Sequence, residues 1–248
     1  MATSYGALCD DFYVNQKLTL RMDMPSDRET VLHLFEQVRK AMPDMSRFRR
    51  FEGELALESS RKDGKYRWIA LRRTSLRTGI VNPDSMQQVS DFHRMMLEIA
   101  PYHLTISPLD VDYLELMFGF DLECKGNHDS VVAEALLDGS PLGDLLAAAG
   151  GKPLDVQPTV GVNLTDAGDR QAYFEVKTRH RTRRGSSRGS RQEPISTYLT
   201  TRQYGPVDSL KHMQTVFDET LAHTEQLATE RLLPYVLHPI ARRITSEA

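Results

Sequence analysis

Cysteine is scarce in this chain. Cys9 and Cys124 are the two present, far apart and outside any metal-ligand spacing. A disulfide scaffold and a zinc site are therefore excluded as organising devices, and a reducing cytoplasm is the expected setting. Long apolar runs are missing too. No stretch approaches the roughly 18 consecutive apolar residues of a membrane-crossing helix, so no membrane partner is expected. The opening MATSYGALCDDFYV has neither a basic segment nor an apolar core, which predicts no classical secretion signal.

Catalytic signatures are also missing. The glycines at 139, 143, 150 and 151 lack both the lysine of a phosphate-binding loop and the spacing of a dinucleotide fingerprint. No histidine pairs with another in an H-E-x-x-H frame, and none stands beside a cysteine. Gly185 to Gly189, GSSRG, has the letters of a nucleophile elbow, but that turn needs a strand before it and a helix after it. Here arginines flank the segment and a strand follows. A haem would need a histidine projecting from a helix into an apolar pocket, with His212 and His223 as candidates. The expectation is a protein with no catalytic residues, no metal and no cofactor.

What is present is an ordinary globular composition. Of 248 residues, 40% are apolar and 26% charged, with a formal charge of −3. Phe12 to Met24 alternates apolar and polar residues as a half-buried strand does. Ser26 and Glu29 form a capping-box pattern that opens a helix with Val31, Leu34, Phe35 and Val38 on one face, closed by Pro43. Phe51 to Ser59 alternates again, and Asp63-Gly64 has the chemistry of a two-residue hairpin turn. The returning arm, Tyr66 to Gly79, sets Glu54 opposite Arg73. A helix from Asp84 or Ser85 follows, with Pro101 and Pro108 bracketing its exit.

From Asp112 the pattern restarts. Tyr113 to Glu123 reads as a strand that Gly119 bends, followed by helices from about Asp129 and from Ser140. A hairpin pairs Thr159–Thr165 with the arm starting at Ala172, and Ile195–Arg202 is a further strand. A long helix spans Val207–Arg231, and Pro234 and Pro239 break the chain into a last short segment.

These elements predict an α+β fold built as a tandem duplication of a β-α-β-β-α, ferredoxin-like unit, with antiparallel sheets and helices on one face. The two sheets either stack face to face or join into one. The first repeat covers 11–110 and the second 111–233, with an Arg-rich insertion at about 181–194 and a C-terminal tail at 234–248.

Positive charge is clustered. Lys177, Arg179, Arg181, Arg183, Arg184, Arg188 and Arg191 fall in KTRHRTRRGSSRGSR, which contains no acidic residue. Arg72, Arg73 and Arg77 form a smaller echo in the first repeat. Guanidinium forks match phosphate and carboxylate oxygens, so these ten residues are the candidate anion-binding set. If the repeats pack pseudo-symmetrically, both basic strand ends share one groove, with Tyr66, Trp68, Tyr173 and Phe174 as stacking surfaces or as core.

The expected function is a non-enzymatic binding or assembly protein. Its partner would be nucleic acid, a phosphorylated ligand or an acidic protein surface. Two alternatives are an enzyme or a haem or small-molecule binder with a pocket between the two duplicated sheets, and a structural homo-oligomer whose basic loop is merely solvated.

Overall fold

A computed structural model describes residues 4–178 and 194–247. Its strands are β1 (Asp11–Leu20), β2 (Met45–Phe51), β3 (Glu54–Ser59), β4 (Tyr66–Arg72), β5 (Ser75–Val81), β6 (Val111–Leu122), β7 (Thr159–Asn163), β8 (Arg170–Lys177) and β9 (Ile195–Tyr204). The α-helices are α1 (Arg28–Ala41), α2 (Met86–His103), α3 (His128–Leu136), α4 (Pro141–Ala149), α5 (Leu210–Leu227) and α6 (His238–Glu247), with a π-helical stretch, Ala228–Leu237, joining the last two.

All nine strands form one sheet in the order β2-β3-β4-β5-β1-β6-β9-β8-β7. Every neighbouring pair is antiparallel. The centre is β1 against β6, in register from Asp11↔Asp121 to Thr19↔Tyr113. Of the two expected arrangements the joined sheet is the one observed, so the described residues hold no second sheet and no inter-sheet pocket.

Strand alternation decides which face is covered. Phe12, Val14, Leu18 and Leu20 of β1 and Leu114, Leu116, Phe118 and Phe120 of β6 are buried in one core with Phe35 of α1, Phe92 of α2 and Phe217 of α5. Neighbouring helices touch in turn, α1 with α2 and α2 with α5. Both long helices start on a serine, Ser85 accepting from the backbone N–H of Gln88 and Ser209 from that of His212, which satisfies an otherwise orphaned helix donor.

On the opposite face, large rings lie flat on the sheet where a neighbouring strand offers glycine. A Cβ at Gly119 would stand 2.2 Å from the Tyr13 ring, and one at Gly79 would stand 2.3 Å from the Trp68 ring. Gly119 is thus a ring seat rather than the expected bend, since it stays in register opposite Tyr13.

Several expected boundaries move. Tyr66–Gly79 is not one arm but the hairpin β4–β5, turning at Arg73 and Thr74. That turn carries no Gly, Pro or Asn to announce it. Glu54 consequently meets Arg72 rather than Arg73, at 2.6 Å. Met45–Phe51 forms an additional outer strand. Helix α1 is capped by Asp27, not Ser26, through the N–H of Thr30. Pro101 lies inside α2 and Pro234 inside the π-helical stretch, so the C-terminal chain continues as helix where a break was expected. The wider π turn accommodates a residue that has no N–H to give.

Candidate anion-binding groove

The groove begins with a local rule that the sequence breaks. Arg28 opens α1, where the helix dipole favours acids and disfavours cations. Ahead of it, Asp23 to Ser26 leave β1 and are pinned to the β4–β5 turn. The Met24 N–H donates to the Arg73 carbonyl at 2.8 Å, and the Leu20 N–H to the Thr74 carbonyl at 2.9 Å. This fixes Arg72 and Arg73 beside the start of α1. On the other side the β2–β3 hairpin, turning at Glu52 and Gly53, brings Arg50 across.

Together these elements enclose a groove of about 1090 Å³, with Met24, Val31, Leu55 and Leu71 in its floor and Arg28, Arg50, Arg72 and Arg73 around it. Phe48 and Phe51 of β2 also line it and remain 51% and 53% exposed. Phe48 is steadied by an edge-on contact with the Phe35 ring at 5.9 Å.

The cations divide by their partners. Arg72 is held by Glu54, and Arg73 stands 3.5 Å from Asp23. Among the described residues no ion pair reaches Arg28 or Arg50, and both are exposed. An exposed guanidinium can turn to an incoming carboxylate or phosphate without first surrendering an internal partner.

The open face of the sheet holds cations too, but they are engaged. Arg202 donates to Glu115 at 2.6 Å and lies over the rings of Tyr113 and Tyr173, at 5.1 and 5.2 Å. Arg77 lies 5.7 Å from the Trp68 ring and 3.6 Å from Glu54. Stacked and paired arginines of this kind hold the face together.

Of the expected anion-binding residues, Arg72 and Arg73 line the groove, but the guanidinium of Arg72 turns to Glu54, the carboxylate it shares with Arg77 on the open face. Lys177 ends β8 and pairs with Glu175 at 3.2 Å. Arg179, Arg181, Arg183, Arg184, Arg188 and Arg191 lie outside the described residues. The shared groove for both basic strand ends does not form. Register connects Arg72 through Ser75 to Thr19, and Lys177 through Ser196 and Asp121 to Asp11. The two strand ends therefore point to opposite ends of β1, separated along it by roughly 26 Å at a strand's usual rise.

Arg28 and Arg50 were not among the expected residues. The run Arg47-Phe48-Arg49-Arg50 carried a usable signal for the second of them, while Arg28 shows only as a cation misplaced at a helix start.

The expected haem candidates do not enter an apolar pocket. His212 bonds to Asp208 at the start of α5, and His223 faces Arg170 and the Glu219 carbonyl. Among the described residues the fully buried histidine is His93, whose Nδ1 meets the Thr78 hydroxyl at 2.7 Å. Burial pushes its pKa down to about 3, so it is a neutral core group. Among the described residues no cluster of His, Cys, Asp and Glu could hold a metal, and no helix is long and apolar enough to cross a membrane. No protein-family model matches the chain, and no curated protein is similar to it.

Proposed function

We propose that this is a non-enzymatic binding or assembly protein that engages an anionic partner. The observation that carries this reading is the convergence of Arg28, Arg50, Arg72 and Arg73 on one groove, with Arg28 and Arg50 lacking ion-pair partners among the described residues. The basic segment from Lys177 to Arg191 is a second contact for the same class of partner; Lys177, with which it begins, lies at the far end of the sheet. A cytoplasmic location goes with two free cysteines.

Within this reading the chain is an internal duplication of residues 11–110 and 111–233. Its support is that each half opens on a central strand and closes on a serine-capped helix. The ferredoxin-like form of the repeat has less support, because the extra hairpin arm makes β5, not β4, the neighbour of β1.

The test is fluorescence anisotropy with a labelled oligothymidylate and with polyglutamate, across a salt series. Arg28→Gln/Arg50→Gln and Arg183→Ser/Arg184→Ser should each weaken binding and flatten its salt dependence. Affinity unchanged in both double variants would sink the proposal.

One observation favours a second reading, a homo-oligomer. Among the described residues no strand pairs with either outer edge of the sheet, and β7 leaves Val160 and Val162 57% and 41% exposed. Light scattering would then give a multiple of the chain mass, lost on truncation from Pro206.

A further inference from the structure

The outer edge of the groove is itself a strand with no further strand beside it among the described residues. β2 pairs with β3 on one side, Arg47↔Glu58 through Phe51↔Glu54, and ends the sheet on the other. The turn at Glu52 and Gly53 closes on Phe51↔Glu54, so antiparallel alternation points the backbone N–H and C=O of Phe51 and Arg49 at β3. Those of Phe48 and Arg50 point outward. An edge of this kind pairs with any compatible strand unless something prevents it.

The side chains of β2 specify what is compatible. Arg47, Arg49 and Arg50 stand exposed along it; Glu58 is the cross-strand partner of Arg47 and forms the described ion pair with Arg49, at 3.7 Å. A second copy pairing about Phe48 would set Arg47 across from Arg49, like charge against like, which is unfavourable. The 177–191 segment of this chain is excluded as an occupant by the same repulsion. Alternation puts Arg47 and Arg49 on one face of β2 and Phe48 and Arg50 on the other. A strand with carboxylates at alternate positions would face Arg47 and Arg49, and its intervening apolar residues would lie over the half-exposed Phe48 and toward the groove floor behind it.

We propose that β2 receives an extended, acidic polypeptide segment as a tenth strand, with carboxylates against Arg47 and Arg49 on one face and apolar side chains over Phe48 and Arg50 toward the groove on the other. This rests on the anionic-partner reading and narrows it to a protein partner bound by strand addition.

The experiment uses the full chain and a fluorescein-labelled peptide of alternating glutamate and valine, with the lysine–valine peptide as its counterpart. The acidic peptide should bind and the basic one should not. Arg50→Ala and Arg50→Pro both remove the guanidinium, but only proline removes the outward N–H. At an edge position proline leaves the β3 ladder intact. R50P should therefore bind about 10-fold more weakly than R50A, the share of roughly one hydrogen bond. On wild-type protein, a peptide N-methylated at alternate amides should lose binding by at least as much. The amides of Phe48 and Arg50 should gain hydrogen-exchange protection with the unmodified peptide.

Equal binding of the N-methylated and plain peptides, with no protection at Phe48 and Arg50, would overturn strand addition. If R28Q/R50Q still abolished polyglutamate binding, the anionic reading would survive that result. Failure of the acidic peptide and polyglutamate alike would remove both. A chain mass that doubles in wild type and returns to one in R50P would assign the edge to a second copy and overturn the proposal.

Discussion

The centre of the sheet and its two margins obey opposite constraints. In β1 every second residue is buried, as are most of the alternate residues of β6, and on the other face the Tyr13 ring is seated on Gly119. At the margins β2 and β7 are exposed on both faces apart from Met45, so burial no longer selects their residues. The two margins then differ from each other. β7, TVGVN, is short and neutral, whereas β2, MSRFRRF, is longer and carries Arg47, Arg49 and Arg50. Freed from packing, one edge became inert and the other became charged, and the charged one borders the arginine-lined groove.

The strongest test of that contrast is truncation at matched depth in the strand. Phe118→Ala empties a fully buried site on β6 and should cost about 3–5 kcal/mol, while Val162→Ala on β7 should stay within about 0.5 kcal/mol. Urea midpoints for the two variants check this. Similar losses would mean that the margin is covered in solution.

Next come the ring seats. Gly119→Ala must evict the Tyr13 ring and its hydroxyl's bond to Asp121, and should cost about 1–3 kcal/mol. At Gly161 on β7 a new Cβ would meet the Tyr173 ring at 2.9 Å, a milder clash beside open solvent, so the same substitution should cost less than at Gly119. The difference in thermal midpoints reads it directly.

A third contrast depends on pH. Burial holds His93 near a pKa of 3 in the folded protein, against 6.5 unperturbed. Below about pH 6.5 the unfolded chain takes up a proton that the folded chain refuses. Stability therefore falls with pH toward 3, by up to about 1.4 kcal/mol per unit, and this contribution is flat above that window. His93→Phe should remove this component of the slope between pH 6.5 and 5, besides a constant offset from the abandoned Thr78 hydroxyl. Parallel slopes for the two proteins would show that the ring protonates in place.

The smallest effect belongs to the charged margin. Arg28→Gln/Arg50→Gln should change stability by no more than about 0.5 kcal/mol, since neither residue has a described ion-pair partner to lose. A large loss would mark these arginines as structural rather than receptive.

Legibility followed the same division. β1, β6, α2 and α5 were readable because half-buried elements print their period in apolar residues, and Ser85, Ser140 and Asp63-Gly64 announced their cap, start and turn. β2 was not readable as a strand: with both faces exposed, it has no alternation to display. The β4–β5 turn escaped because Arg73 and Thr74 are ordinary residues held by backbone bonds from Leu20 and Met24. In the candidate groove, Arg72 and Arg73 were visible as a cluster. Arg28 and Arg50 come from separate elements, and no local pattern links them.

By itself the sequence determined the class of the fold, the long amphipathic elements and the clustering of arginine, because each depends on residues within a turn or two of one another. The tertiary structure decided that nine strands make one sheet, that Arg72 and Lys177 point to opposite ends of it, and that Arg28 and Arg50 converge. Those outcomes depend on strand register and on which edges remain unpaired, and pairing between distant segments leaves no mark in the local period of either one.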